Sequence, residues 1–251
     1  MNELSGINSN LMFLKNHSKL ILSLRSKKIR WERKLFIVEN PKVLQEFISE
    51  NFEIIFLFTL KDGVFKNHAK SIILSNDQLK KHSSLDNPQE CIAIVKMQSF
   101  KPHADSWSMI LDRVQDPGNA GALIRLADWF GLDWLAIPPG TVDPYSSKVV
   151  QASMGSLARL PLVFESDSNL DILLRKEKRI IVVADMKGKS PKDALVSSKG
   201  CLILGNEGSG PSDFWKSRCD HFVSIQRSSK SKTESLNVAT AAAILLYEIN
   251  T

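Results

Sequence analysis

Apolar residues recur at helical spacing in some stretches of this chain and run uninterrupted in others, and the alternation of the two kinds marks out its elements. Leu20, Ile21 and Leu24 share one face of a predicted helix. Residues 35–38 read as a short strand, and Pro41 opens a helix carrying Leu44, Phe47 and Ile48. Residues 53–58 are a continuous apolar run, expected to be a central strand. Asn76 is the expected cap of a short helix, and residues 91–95 form a closing strand. The pattern becomes regular after Trp107. Strands are predicted over 108–112, 134–137, 179–184, 200–204 and 221–225, with helices over 120–130, 146–154, 170–177 and 236–249. Such alternation calls for a parallel sheet with crossover helices. The chain therefore reads as α/β in two domains, residues 1–98 and 106–251, joined by a polar linker containing Pro102.

Composition changes this picture little. A chain of 251 residues with 43% hydrophobic and 24% charged residues is ordinary for a globular protein. No apolar run reaches the ~20 residues that cross a bilayer, and no signal peptide opens the chain, so a cytoplasmic setting without a membrane partner is expected. Cys91, Cys201 and Cys219 form no CxxC pair and read as buried thiols, which leaves no metal site in view. The net charge of +6 matters for where it is concentrated. Eight basic residues and one acid lie between Lys15 and Lys34, around Trp31. A cluster of this density, with Lys27, Lys28, Arg30 and Arg33 at its centre, suits RNA phosphates; charge alone equally describes a solvated helix face.

Three segments of the second half carry the candidate chemistry. Asp116–Pro–Gly–Asn119–Ala–Gly–Ala–Leu–Ile–Arg125 leaves a strand through a tight turn; alone it would also describe a capped helix with a surface ion pair. Gly205–Asn–Glu207–Gly–Ser–Gly follows another strand. It is not a phosphate loop, because Pro211 and Ser212 follow its last glycine, and its G-x-x-G-x-G spacing reverses the dinucleotide fingerprint. What remains is a close-approach turn bearing one carboxylate. Ser235–Leu236–Asn237 precedes an alanine-rich helix; Ser235 is the expected N-cap, and Asn237 then falls in the first turn.

In order, the three segments resemble the motifs of the SpoU family of RNA ribose 2′-O-methyltransferases, within the knotted SPOUT superfamily. The stretch from Asp143 to Ser156 resembles the family's intervening sequence. The likeness covers roughly residues 106–248 closely and the first hundred more loosely. It implies a trefoil-knotted parallel-sheet methyltransferase domain, preceded by a small ribosomal-protein-like α/β domain that binds RNA. The implied catalytic set is Asn119, Arg125, Glu207, Ser235 and Asn237, with Glu207 steadying Arg125 or the ribose. S-adenosylmethionine is implied as cofactor, contacted by Gly205, Ile225 and Leu236. A homodimer with interfacial active sites is also implied, as is ribosomal RNA ahead of transfer RNA as substrate. In the family the motif arginine is given the hydroxyl proton. A guanidinium pKa above ~12 favours Arg125 as a phosphate holder instead.

The chain departs from the family pattern after Ile225. A proline and a glycine usual there are missing, and the loop to Glu234 is longer and carries Arg227, Lys230 and Lys232. Arg227 and Lys230 are expected to grip RNA. Pro211 and Gln151 also depart, standing where an aliphatic residue and an arginine are usual. The altered loop keeps a second reading open, a catalytically inactive RNA-binding or ribosome-assembly factor on the same fold.

Overall fold

A computed structural model describes residues 17–191 and 199–250. Lys15, at one end of the basic cluster, lies outside the described residues. Two compact units emerge, the first of residues up to Gln98 together with Tyr145–Gln151, the second of Ser99–Pro144 and Ala152 onward.

The first unit opens with helical residues 17–23 (α1) and continues as α2 (Lys27–Arg33), β1 (Leu35–Val38), α3 (Pro41–Ser49), β2 (Ile54–Leu60), β3 (Ser71–Leu74), α4 (Asn76–His82) and β4 (Cys91–Lys96). The strands lie in the order β1-β4-β2-β3, with β4 antiparallel to both neighbours and β3 parallel to β2. One layer of core joins Ile21 and Leu24 of α1 to Ile37, Phe58, Ile92 and Ile94 of the sheet. Phe36 packs edge-on against Phe47 of α3, and Tyr145 reaches the Phe36 ring at 5.0 Å. The cap of α4 is Ser75, not Asn76. Ser75 accepts from Gln78 N while Gln78 returns a bond to Ser75 N, a reciprocal capping box that Asn76 is one residue too late to make. Strand β3, not predicted from sequence, pairs parallel to the edge of β2.

The second unit contains β5 (Ser108–Asp112), α5 (Pro117–Trp129), β6 (Leu135–Ala136), β7 (Leu162–Val163), α7 (Asp167–Lys176), β8 (Ile180–Lys189), β9 (Gly200–Gly205), α8 (Asp213–Lys216), β10 (His221–Val223) and α9 (Val238–Asn250). Helix α6 (Ser147–Ala152) spans the chain boundary between the units. All six strands are parallel, in the order β10-β8-β9-β5-β6-β7. One face buries Ile110, Trp134, Ile181, Val183 and Ile203 under Leu170 and Leu174 of α7 and Trp215 of α8. Helix α5 packs against α9, and α9 against β9. Arg179 anchors the entry to this unit: buried to 2% exposure, it pairs with Asp133 at 2.6 Å and Glu177 at 2.5 Å and donates to the Ser106 carbonyl. Its guanidinium also lies 5.4 Å from the Trp134 ring centre. A buried cation on this scale is tolerated because carboxylates and carbonyls surround it. Among the described residues no helix is long and apolar enough to cross a membrane, and no cluster of His, Cys, Asp or Glu is placed to hold a metal.

Candidate active site at the carboxyl ends of β5 and β9

Parallel sheets offer ligands a crevice beyond the carboxyl ends of their strands. Here β5 and β9 are neighbours in register, Asp112 opposite Gly205, so the two motif turns that follow them start side by side. The turns are also tied together. Asn206 donates from Nδ2 to the Arg113 carbonyl at 2.9 Å, and its Oδ1 accepts from Gly208 N and Ser209 N. Gly205 is glycine because the returning chain lies on it: a Cβ there would sit 2.1 Å from Pro211 N.

Helix α5 begins at Pro117, earlier than the Ala120 start expected from sequence, because Asp116 is its N-cap and accepts from Asn119 N at 2.7 Å. That start places Arg125 one turn deeper in the helix than anticipated. It also holds the Asn119 backbone rigidly at the helix entrance. The second glycine of this motif serves packing rather than a ligand, since a Cβ on Gly121 would lie 2.3 Å from Ala152 Cβ.

Asn237 turns out to be the cap of α9. Its Oδ1 accepts from Ala239 N at 2.9 Å and Thr240 N at 3.3 Å, and its carbonyl receives Ala241 N. Ser235, the expected cap, is exposed and sits two residues too early to reach those amides. Capping determines everything that follows. With Oδ1 committed to the helix, Asn237 must present Nδ2, which donates to Asn119 Oδ1 at 2.8 Å. Asn119 must then turn its own Nδ2 outward, and it donates to Glu207 Oε1 at 2.9 Å. A carboxylate that only accepts closes the chain, so every amide orientation in it is dictated by its neighbours.

The three motifs therefore converge through Glu207, Asn119 and Asn237. Glu207 accepts from Asn119 in the structure, where the sequence pointed to Arg125 or the ribose as what it steadies. Arg125 is exposed and forms no ion pair or hydrogen bond among the described residues. Gly205 ends β9, Ile225 lies half-buried just past β10, and Leu236, 49% exposed, precedes the capping asparagine. An exposed leucine, a half-buried isoleucine and a buried glycine backbone suit an apolar, planar ligand better than a phosphate.

Of the basic residues, Lys27, Lys28 and Arg33 are exposed on α2, where Lys28 makes only a long 3.8 Å pair with Glu32. Arg30 is a correction. It is 6% exposed and donates at 2.8 Å to the carbonyls of Leu24 and Arg25, ending α1 instead of facing solvent. Arg227 and Lys230 are exposed in the long loop, which Arg227 closes on itself through the Thr233 carbonyl at 3.0 Å. Sequence reasoning passed over Asn206, whose clamp on both turns had one signal, an asparagine opening a glycine-rich turn.

Residues 106–247 match the SpoU rRNA methylase family, and residues 15–93 match an MRM3-like substrate binding domain. Over 232 residues, 90% of this chain and 92% of the relative, the sequence is 29% identical to the 23S rRNA (guanosine(2553)-2′-O)-methyltransferase RlmP of Bacillus subtilis. It is 33% identical over 174 residues, 64% of this chain and 60% of the relative, to a 23S rRNA (uridine(2479)-2′-O)-methyltransferase of Streptomyces viridochromogenes. The crystal structure of a putative RNA methyltransferase of the TrmH family from Porphyromonas gingivalis superposes with a TM-score of 0.82 at 32% identity, covering 93% of this chain and 96% of that one. A SpoU methyltransferase from Streptomyces viridochromogenes in complex with AdoMet, AviRb, shares the fold at a TM-score of 0.83 and 24% identity, with 93% and 96% covered.

Proposed function

The chain belongs to the SpoU rRNA methylase family, and from that premise we propose that it methylates a ribose 2′-oxygen of ribosomal RNA with S-adenosylmethionine as donor. The observation that carries this is the hydrogen-bonded series Glu207–Asn119–Asn237, one residue from each motif. It holds together the turn that ends β9, the start of α5 and the start of α9. Ribosomal RNA is favoured because relatives matched over much of this chain are named for 23S rRNA.

The donor, bound against the Gly205 turn, Ile225 and Leu236, supplies an electrophilic methyl on a sulfonium whose departure as a neutral thioether needs no metal. What the protein must add is alignment, the ribose hydroxyl giving up its proton to water as the carbon–oxygen bond forms. Asn119 and Asn237 position the ribose, with Ser235 beside them. Glu207 keeps Asn119 in one orientation. Arg125, with no hydrogen-bond or ion-pair partner among the described residues, is left to hold the phosphate next to the target nucleotide. Orientation of this kind is worth several powers of ten when the reacting atoms are held near contact. The exposed Lys27, Lys28 and Arg33, with Arg227 and Lys230, would add nonspecific grip on the backbone. We further propose that the second unit carries the trefoil crossing of the superfamily. Two copies would pair through α9, whose Ile244 and Tyr247 are 39% and 60% exposed. The enzyme would work in the cytoplasm.

Labelled methyl transfer to unmodified ribosomal and transfer RNA, offered separately, tests the proposal. Label on a 2′-oxygen of ribosomal RNA is the expected result. Label on transfer RNA alone would move the substrate. No transfer to either, with no heat of binding for the methyl donor, would leave the catalytically inactive RNA-binding factor in its place.

A further inference from the structure

Arg113 occupies a position that backbone energetics would give to glycine. It directly follows β5 with φ of +59°, a left-handed conformation that costs a residue with a Cβ about 1–2 kcal/mol. The surroundings hold it there from both sides. Its N–H donates to Thr141 Oγ1 at 3.2 Å, its carbonyl accepts from Asn206 Nδ2 at 2.9 Å, and Thr141 Oγ1 is itself fixed by the Leu111 carbonyl. The side chain is seated as deliberately. Nε donates to Asp112 Oδ1 at 3.1 Å, and Gly140, at φ +93°, leaves the space that the arginine stem fills: a Cβ there would lie 3.1 Å from Arg113 Cγ. Asp112 is fully buried and its other oxygen accepts from Ser212 N at 2.5 Å. Its charge is thereby met by one face of the guanidinium and one amide. The terminal nitrogens Nη1 and Nη2 meet no acceptor among the described residues, and the side chain is 41% exposed.

Neutralising Asp112 needs only Nε, and an asparagine or glycine would suit the backbone better. What those facts leave unexplained is the free, oriented Nη edge beside the turn that carries Glu207. We propose that Arg113 binds a phosphodiester of the substrate RNA through Nη1 and Nη2, fixing the strand's register over the active site. The inference rests on the methyltransferase reading above. A planar fork with two parallel donors matches two phosphate oxygens, and such contacts position RNA rather than read its bases. The carboxylate of Asp167 lies within electrostatic range of Arg113 and Asp112 and weakens the local positive field. The site is therefore built for one phosphate held by geometry, not for a broad basic patch.

The test uses Arg113→Gln and Arg113→Lys in the full-length protein, with unmodified 23S ribosomal RNA made by transcription as the probe. In Arg113→Gln, the RNA KM is expected to rise about tenfold or more, as loss of a charge-assisted contact predicts. The slope of log affinity against log salt should become shallower by about one. Donor affinity and kcat should stay within about twofold, since neither the amide series nor the Gly205 turn is touched. Arg113→Lys retains compensation for Asp112 and serves if the glutamine variant folds poorly; it should restore the salt slope but not KM, having lost the fork. Unchanged KM and salt slope in a variant that merely melts earlier would overturn the proposal. So would a selective loss of donor affinity, which would assign the anion to the donor's own carboxylate. If the wild-type protein bound the RNA but transferred no methyl group, only the methyltransferase reading would fall. If it bound no RNA, both would.

Discussion

Asn237 divides its two side-chain atoms between a helix cap and the hydrogen-bonded series proposed for the active site. Its oxygen caps α9 and its nitrogen sets the orientation of Asn119, and through it the donor to Glu207. Two substitutions separate the duties. Asn237→Ala removes both, and loss of the cap should cost about 1 kcal/mol, lowering the melting temperature by roughly 2–4 °C. Asn237→Asp keeps the capping oxygen but turns a second acceptor toward Asn119 Oδ1. Asn119 could then satisfy one neighbour only by abandoning the other. The aspartate variant should melt near the wild-type temperature and still lose methyl transfer by at least about tenfold, as expected for an active-site hydrogen bond. Matched losses of stability in both variants, with activity intact in the aspartate form, would reduce Asn237 to a cap. The presence of these residues was legible in the sequence as three motifs. Their linkage was not, because no local rule says which amide face a helix will claim.

Between elements, the contact that matters most is α5 against the chain at Ala152. Glycine inside a helix is normally improved by alanine, by up to about 1 kcal/mol. Gly121→Ala should do the reverse. The added methyl would sit 2.3 Å from Ala152 Cβ and 2.8 Å from its carbonyl carbon, and backbone cannot yield as a flexible side chain does. Overpacking of this kind costs about 1–3 kcal/mol. Thermal melting decides the sign, and a rise on substitution would mean that α5 shifts to accommodate the methyl group. Periodicity located α5 and α7 correctly because each buries one apolar stripe. It placed β6 within the 134–137 strand but could not see β7, two residues long, which pairs along the edge that β6 offers.

For the whole molecule, the informative surface is the unpaired apolar side of α9. Ile244 and Tyr247 point away from Leu245 and Leu246, which are buried on the sheet side. The proposed pairing of two copies requires that surface. Changing Ile244 and Tyr247 together to aspartate should leave a folded protein, because neither residue contributes to the core. It should elute as a monomer and lose at least about tenfold in activity, as an assembly-dependent site would. A monomeric wild-type protein with full activity would contradict the pairing directly.

What could be read without coordinates were features encoded over a few consecutive residues. Apolar runs marked most strands of both sheets, β3 and β7 excepted, and three short motifs, with a polar cluster around each, carried the family. Folding in three dimensions settled what depends on residues distant in sequence. Arg30 looked like its basic neighbours until the end of α1 claimed its guanidinium. Ser235 read as the cap, with Asn237 in the first turn, until the helix start at Val238 gave the cap to Asn237. Glu207 took Asn119, 88 residues away, as its partner. In each instance a polar group met competing acceptors or donors, and the one that the fold brought within reach took it. That proximity is a property of the assembled structure, and no window of sequence contains it.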